Sequence, residues 1–252
     1  MIRPWQYALL FCTGLAAGFV DSIAGGGGVI SLPVLLNFGL GPQLALGTNK
    51  LQGTFGSGCA TWHYAHAKIV QPSCCLRGFF FSFIGAALGA LAVQRVNPSF
   101  LRQIIPILLI AVALYLLFKP NFGTAEIHPR ISRVWFDVTI GLLLGFYDGF
   151  FGPGVGTFWA MAYMLLLGFN MTRATGFTKV MNFASNLSSL GFFLLGRNVN
   201  IPAGLTMGVG QLLGARIGSR MVIAKGTKFI RPIFLTVVLA ITGKLLYDNY
   251  HH

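Results

Sequence analysis

Gly18-Phe19-Val20-Asp21-Ser22-Ile23-Ala24-Gly25-Gly26-Gly27-Gly28 and Gly145-Phe146-Tyr147-Asp148-Gly149-Phe150-Phe151-Gly152-Pro153-Gly154 are two versions of one motif. An offset of 127 carries Gly18, Phe19 and Asp21 onto Gly145, Phe146 and Asp148, and Gly25 and Gly27 onto Gly152 and Gly154. After a two-residue insertion the offset is 129. It maps Gly39 to Gly168, Ala45 to Ala174, Gly47 to Gly176, Lys50 to Lys179, Gly85-Ala86 to Gly214-Ala215, Gly89 to Gly218 and Arg102 to Arg231. Matches this numerous at a near-constant offset describe an internal duplication, here residues 1–125 and 126–252.

Composition says where such a unit folds. Of the 252 residues, 55% are hydrophobic and 9% charged, with a mean hydropathy of +0.72. Soluble domains carry about 25% charged residues, so this chain lacks the polar surface for water. Apolar runs approach the roughly 20 residues that cross a bilayer, as at Trp5–Val20, Gly78–Val93, Leu101–Phe118, Ala203–Ile217 and Ile233–Leu246. The expected fold is an all-α polytopic membrane protein of two pseudo-symmetric repeats with glycine-broken helices and about 8–10 transmembrane segments. The net charge of +13 is spread over the loops, which suits anionic lipid at a membrane rim rather than nucleic acid. Cys12, Cys59, Cys74 and Cys75 lack ligand spacing, and neither metal nor cofactor is expected. No cleavable signal pattern and no catalytic triad are evident.

Each repeat reads as five segments. The first ends at Asp21–Gly28 or Asp148–Gly156, and the second, Val29–Phe38 or Thr157–Leu167, is too short to span. The third is expected to begin near the lysine and run to about Ala65 or Leu195, followed by segments near 75–94 and 100–118, or 203–222 and 229–247. Loop charge argues for inversion of the repeats. With the 66–77, 119–133 and 216–231 loops inside, ten Lys/Arg are cytoplasmic and five external, whereas a parallel arrangement gives seven and eight. The positive-inside rule prefers the former.

Glycine-interrupted segments at matching positions of inverted repeats point to a transporter site. Broken backbone survives in hydrocarbon only where it lines a protein-bounded cavity. The helix after each break offers free N–H groups and a positive dipole end to an anion. Gly25, Gly26, Gly27 and Gly28, with Gly152, Gly154 and Gly156, are therefore the expected backbone donors. Lys50 and Lys179, expected at the mouth of the third helix beside Asn49 and Thr178, would supply charge. Asn182 adds an amide on the following turn, near Ser185 and Asn186. The lysines contact the substrate, snorkel to an interface or neutralise an aspartate. For Asp21 and Asp148 pairing or capping around the glycines is the preferred reading, with proton coupling or gating as the functional one. Gly85, Gly89, Gly214 and Gly218, spaced four apart, read as helix-packing positions.

These motifs resemble the sulfite exporter TauE/SafE family, also called the toluene sulfonate uptake permease family, and most closely its YfcA-like branch. The likeness runs through Gly18–Gly28, Leu32-Pro33, Ala45-Leu46-Gly47-Thr48-Asn49-Lys50, Gly145–Gly154, Arg173–Val180 with Asn182, and Lys228-Phe229-Ile230-Arg231-Pro232. The resemblance implies a permease of the bacterial cytoplasmic membrane for sulfite, sulfonates, sulfoacetate or related organic anions. The expected protein is thus a secondary transporter or facilitator, not an enzyme, exporting a small anion by alternating access. An anion-selective channel or proton-coupled uptake are the alternatives. Its expected partners are the anion and membrane lipid, and a homo-oligomer is compatible with the reading.

Overall fold

The computed structural model describes residues 4–118 and 128–225. The expected helix 229–247, the Lys228–Pro232 motif and the repeat boundary at 125/126 lie outside the described residues. The described chain is helical: α1 (Pro4–Ala24), α2 (Gly27–Asn37), α3 (Pro42–His66), α4 (Leu76–Gln94), α5 (Pro98–Phe118), α6 (Arg133–Trp135), α7 (Gly141–Phe150), α8 (Val155–Leu167), α9 (Met171–Leu195) and α10 (Ile201–Lys225). A 3₁₀ turn, Pro72–Cys75, leads into α4, and a π turn, Phe136–Ile140, joins α6 to α7.

Local chemistry explains the boundaries. Gly25 and Gly26 take φ of +69° and +146°, where a side chain is strained, and so end α1. The break is narrower than the four glycines suggest, since Gly27 and Gly28 form the first turn of α2. Gly156 likewise lies inside α8, and residues 151–154, with Gly152 and Gly154 at φ of +96° and +80°, separate α7 from it. The third helix of each half starts earlier than expected. Pro42 opens α3 and the Asn170 side chain caps α9 by accepting from the Arg173 N–H at 2.9 Å. Lys50 and Lys179 are consequently each the ninth residue of a helix rather than at its mouth. The small residues before them allow close packing instead: Gly47 lies against Asn198 and Phe193, and Gly176 against Val70 and Tyr64.

Helix pairs pack through glycines. α1 and α10 run parallel, Gly14 meeting Met207, Gly18 meeting Gln211 and Gly214 meeting Leu15. α4 and α7 do likewise, Gly145 meeting Ser82 and Gly85 meeting Leu142. Gly85, Gly89, Gly214 and Gly218 all sit at these contacts, where small residues let backbones approach in a medium that gives apolar side chains no reason to cluster. α3 and α9 run antiparallel along their length: Gly47 faces Phe193, Gly53 faces Asn186, Gly58 faces Phe183 and Gly176 faces Tyr64.

The distribution of polarity is inverted relative to a soluble domain. Lys50, Lys179, Asp148, Asn182 and Gln211 are buried, while Trp5, Phe80, Leu143, Leu195 and Ile217 are exposed. Such an apolar exterior requires a lipid or protein cover. Among the described residues two helices, Trp5–Ile23 and Ser73–Gln94, are long and apolar enough to cross a membrane. That is fewer than the 8–10 segments expected. α3, α9 and α10 have 25 residues each, or about 38 Å, but carry inward-facing polar groups that lower their hydropathy. α2 and α8, with 11 and 13 residues, are too short to cross alone.

A Cβ on Gly214 would lie 2.7 Å from the Phe19 nitrogen, inside backbone that cannot move aside. Gly214→Leu is expected to cost about 1–3 kcal/mol from overpacking, read as a lower melting temperature of the detergent-solubilised protein. An unchanged melting curve would mean that α1 and α10 are not held this closely.

Candidate functional site

The first break is closed by its own aspartate. Asp21 Oδ1 accepts from the N–H groups of Gly26 at 3.2 Å and Gly27 at 3.4 Å. A carboxylate thus occupies the positive end of α2. The donors expected to meet a substrate at Gly26 and Gly27 are already engaged, which narrows the backbone contribution there to Gly28. At the second break, Asp148 does not cap. Its Oδ2 accepts from the Ser185 hydroxyl, and the break is tied by Tyr147 Oη donating to the Pro153 carbonyl at 2.8 Å.

The lysines cross between the halves. Lys50 Nζ meets Asp148 Oδ1 at 2.5 Å and donates to the Asp148 carbonyl oxygen. Lys179 Nζ donates to the Asp21 carbonyl oxygen and lies 3.4 Å from Asp21 Oδ2. Each ammonium therefore meets the carboxylate and the backbone where the opposite broken helix ends. Burial makes the two pairs unequal. The Lys50 and Asp148 side chains are 1% and 3% exposed, and Lys179 is 0% exposed, but Asp21 is 16% exposed. The breaks also touch each other: Thr157 Oγ1 donates to the Gly25 carbonyl at 3.0 Å, and a Cβ on Gly156 would lie 2.7 Å from Gly25 Cα. Gly152, at φ +96°, has no room for a side chain beneath the ion pair, since a Cβ would lie 2.9 Å from both Asp148 Oδ1 and Lys50 Nζ.

Between the pairs lies a cavity of about 30 Å³, room for about one or two waters. Of the residues expected from sequence, Asp21, Gly28, Asn49, Asp148, Gly152 and Asn182 line it. Gly25, Gly156, Thr178 and Lys179 line a separate crevice of about 10 Å³. Gly26, Gly27, Lys50 and Gly154 line neither: the first two are capped by Asp21, Lys50 sits behind Asp148, and Gly154 packs on Val112. Gln211, in α10, joins the cavity wall without having been expected. No local pattern marks it, because only the packing of α10 against α1 and α3 brings it inward.

The wall of the cavity is rich in amides. Asn49 Oδ1 accepts from Ser31 Oγ at 2.6 Å and from Gln52 Nε2 at 2.7 Å. The Asn182 and Gln211 side-chain oxygens are buried and have no hydrogen-bond partner among the described residues. An orphaned buried acceptor costs about 1–3 kcal/mol, and an Asn or Gln amide turned over offers donors in its place. The site can therefore present either sign of hydrogen-bonding group to a guest. Among the described residues there is no cluster of metal-ligand side chains.

A family model described as sulfite exporter TauE/SafE matches residues 10–245. This chain belongs to the sulfite exporter TauE/SafE family. It is 44% identical over 250 residues to the probable membrane transporter protein YfcA of Escherichia coli K12, covering 99% of this chain and 93% of the relative. To the probable membrane transporter protein ORF9 of Sinorhizobium sp it is 47% identical over 244 residues, covering 97% and 94%. A probable membrane transporter protein of Haemophilus influenzae is 42% identical over 246 residues, with 96% and 95% covered. No solved structure matches. As a TauE/SafE member the chain is an integral membrane transporter, not an enzyme. The crossed pairs and the amide-lined cavity are then features of a transport protein's interior.

Breaking one buried pair leaves a charge stranded in low dielectric. Lys50→Met is expected to destabilise the protein by about 3–5 kcal/mol, while Lys50→Met/Asp148→Asn recovers most of that loss. Thermal unfolding of both variants checks this; a double variant as unstable as the single one would show that the pair is not coupled.

Proposed function

We propose that the protein moves a small oxyanion, sulfite or an organic sulfonate, out across the bacterial cytoplasmic membrane by alternating access of two inverted repeats, 1–125 and 126–252. The observation that carries this reading is the crossing of Lys50 onto Asp148 and Lys179 onto Asp21 beside the central cavity. Here the carboxylates stand where a substrate anion would stand: one on an ammonium, the other on an ammonium and a helix N-terminus. An arriving oxyanion exchanges with a carboxylate for its lysine and carries its own negative charge across. Asn49 and Asn182 hold the guest from the cavity wall. A cavity of about 30 Å³ is too small for sulfite, so the guest enters only when the helices separate. That favours a gated transporter over an open channel.

Inversion is supported by equivalent contacts. Gly47 on Phe193 corresponds to Gly176 on Tyr64 under the offset of 129, and Gly18 on Gln211 corresponds to Gly145 on Ser82. Lys68 and Arg197, also 129 apart, are both left-handed, with φ of +57° and +56°. Corresponding helices α3 and α9 run antiparallel, as inverted copies must. The family description, sulfite exporter TauE/SafE, supports the cargo and the direction. Energetics agree with export. A potential of 100 mV, negative inside, is worth about 2.3 kcal/mol per charge and drives a monoanion outward roughly 40-fold without a coupling ion.

Two measurements test the reading. Counterflow of sulfite in proteoliposomes is expected to fall about tenfold or more on Lys50→Ala or Lys179→Ala, the scale of a lost charge-assisted hydrogen bond. Undiminished flux in the double variant would remove the lysines from the mechanism. Topology is read with single cysteines, Lys68→Cys and Arg197→Cys, in a background without the four native cysteines. A membrane-impermeant maleimide is expected to label them from opposite faces, and labelling from one face would exclude inversion.

A further inference from the structure

Away from the crossed pairs, a second and much larger hollow of about 800 Å³ opens where the end of α3, the start of α4, α6 and the start of α9 meet. Lys68, Arg77, Arg133 and Arg173 line it, against the single carboxylate of Asp137. That carboxylate is already committed to Arg133, Nε to Oδ1 at 2.9 Å, and is itself buried while the guanidinium is 31% exposed. The lining cations outnumber that carboxylate, and among the described residues neither Lys68 nor Arg77 makes an ion pair. Of the chain's five acidic residues, Asp21 and Asp148 are held in the crossed pairs.

Two of the cations are braced in position. The Arg133 guanidinium lies 5.0 Å from the Phe177 ring centre and the Arg173 guanidinium 4.2 Å from that of Phe169. The two rings meet edge to face at 5.1 Å. Guanidinium groups stacked on a shared aromatic pair lose little freedom when a ligand arrives. Their planar forks match the oxygens of a sulfonate or phosphate. Ile69, Leu76 and Phe177 add apolar wall beside the charges. A concave surface of one sign raises the local concentration of opposite charge.

The geometry points to an oxyanion-binding vestibule: this hollow takes a sulfonate-, sulfate- or phosphate-type head group between Arg133, Arg173, Arg77 and Lys68. Its place in the transport path rests on the anion-transport reading, and the binding itself does not. Phe177 in the wall of the hollow and Lys179 in the inner crevice are two residues apart on α9, so an anion held here is next to the helix that carries the second crossed lysine. Loop charge places this face in the cytoplasm, the side from which an exported anion must be collected. The same chemistry suits the head group of an anionic lipid.

The test uses the full chain in nanodiscs of zwitterionic lipid, titrated calorimetrically with inorganic sulfate. Saturable binding is expected that weakens as salt rises and falls about tenfold or more in Lys68→Gln/Arg77→Gln/Arg173→Gln. Arg133 is left in place because it neutralises Asp137. Lys50→Met/Asp148→Asn keeps the isotherm, which separates this site from the central one and makes the result independent of whether sulfite is transported. A second arm uses nanodiscs containing phosphatidylglycerol, with native mass spectrometry of the retained lipid. Lipid retention lost in the triple variant, with no sulfate isotherm, assigns the head group as the occupant and supports the vestibule. If the triple variant fails to fold, Arg77→Gln alone is expected to weaken binding in the same direction. Sulfate affinity and lipid retention that are both indifferent to these cations overturn the proposal.

Discussion

A lysine ammonium buried in a membrane protein needs a carboxylate, and a helix broken within a membrane needs partners for its freed backbone groups. In this chain the two requirements meet each other. Lys50 and Lys179 each reach the aspartate and the carbonyl oxygen where the opposite broken helix ends. The same two contacts balance the charges and engage the carbonyl oxygens of Asp148 and Asp21. Everything nearby is arranged around that exchange. Ser185 holds the second oxygen of Asp148, Asp21 caps α2, and Gly152 stays bare so that the ion pair fits above it.

The arrangement also explains why glycines recur outside the breaks. Crossed lysines reach their partners only if α1, α3, α7 and α9 approach closely. In lipid, such approach comes from contact between backbones rather than from expulsion of water. Gly47 on Phe193 and Gly176 on Tyr64 provide it between α3 and α9, while Gly18 on Gln211 and Gly145 on Ser82 hold α10 and α4 against α1 and α7. The two ion pairs differ in burial, with Asp21 partly open and Asp148 closed. The proposed alternating access requires such a difference, since equivalent elements would then occupy unequal environments in any one state.

The interior is neutral but strongly polar, and the surrounding face with the 66–77 connection is strongly basic. That division suits the proposed anion transport. A permanent positive centre would bind an anion too tightly to release it. Neutral crossed pairs yield a lysine only when something displaces the carboxylate. The proposed vestibule would gather anions without trapping them, because its charges remain screened by solvent and salt.

Much of this was readable from residues alone. Composition called for lipid, glycines followed by apolar runs called for interrupted helices near Asp21 and Asp148, and the offsets of 127 and 129 pointed to a duplication. These are properties of local pattern and of solvent, which sequence carries directly. The helical position of Lys50 and Lys179 was not readable, since the third helix was expected to begin near each lysine and Pro42 and the Asn170 cap start it earlier. Nor was the choice of partner. One-dimensional spacing places Lys50 near Asp21 as readily as near Asp148, and only the antiparallel packing of α3 on α9 decides the crossing. Gln211 and the basic hollow arise the same way, from residues far apart in the chain that meet only once the helices are assembled.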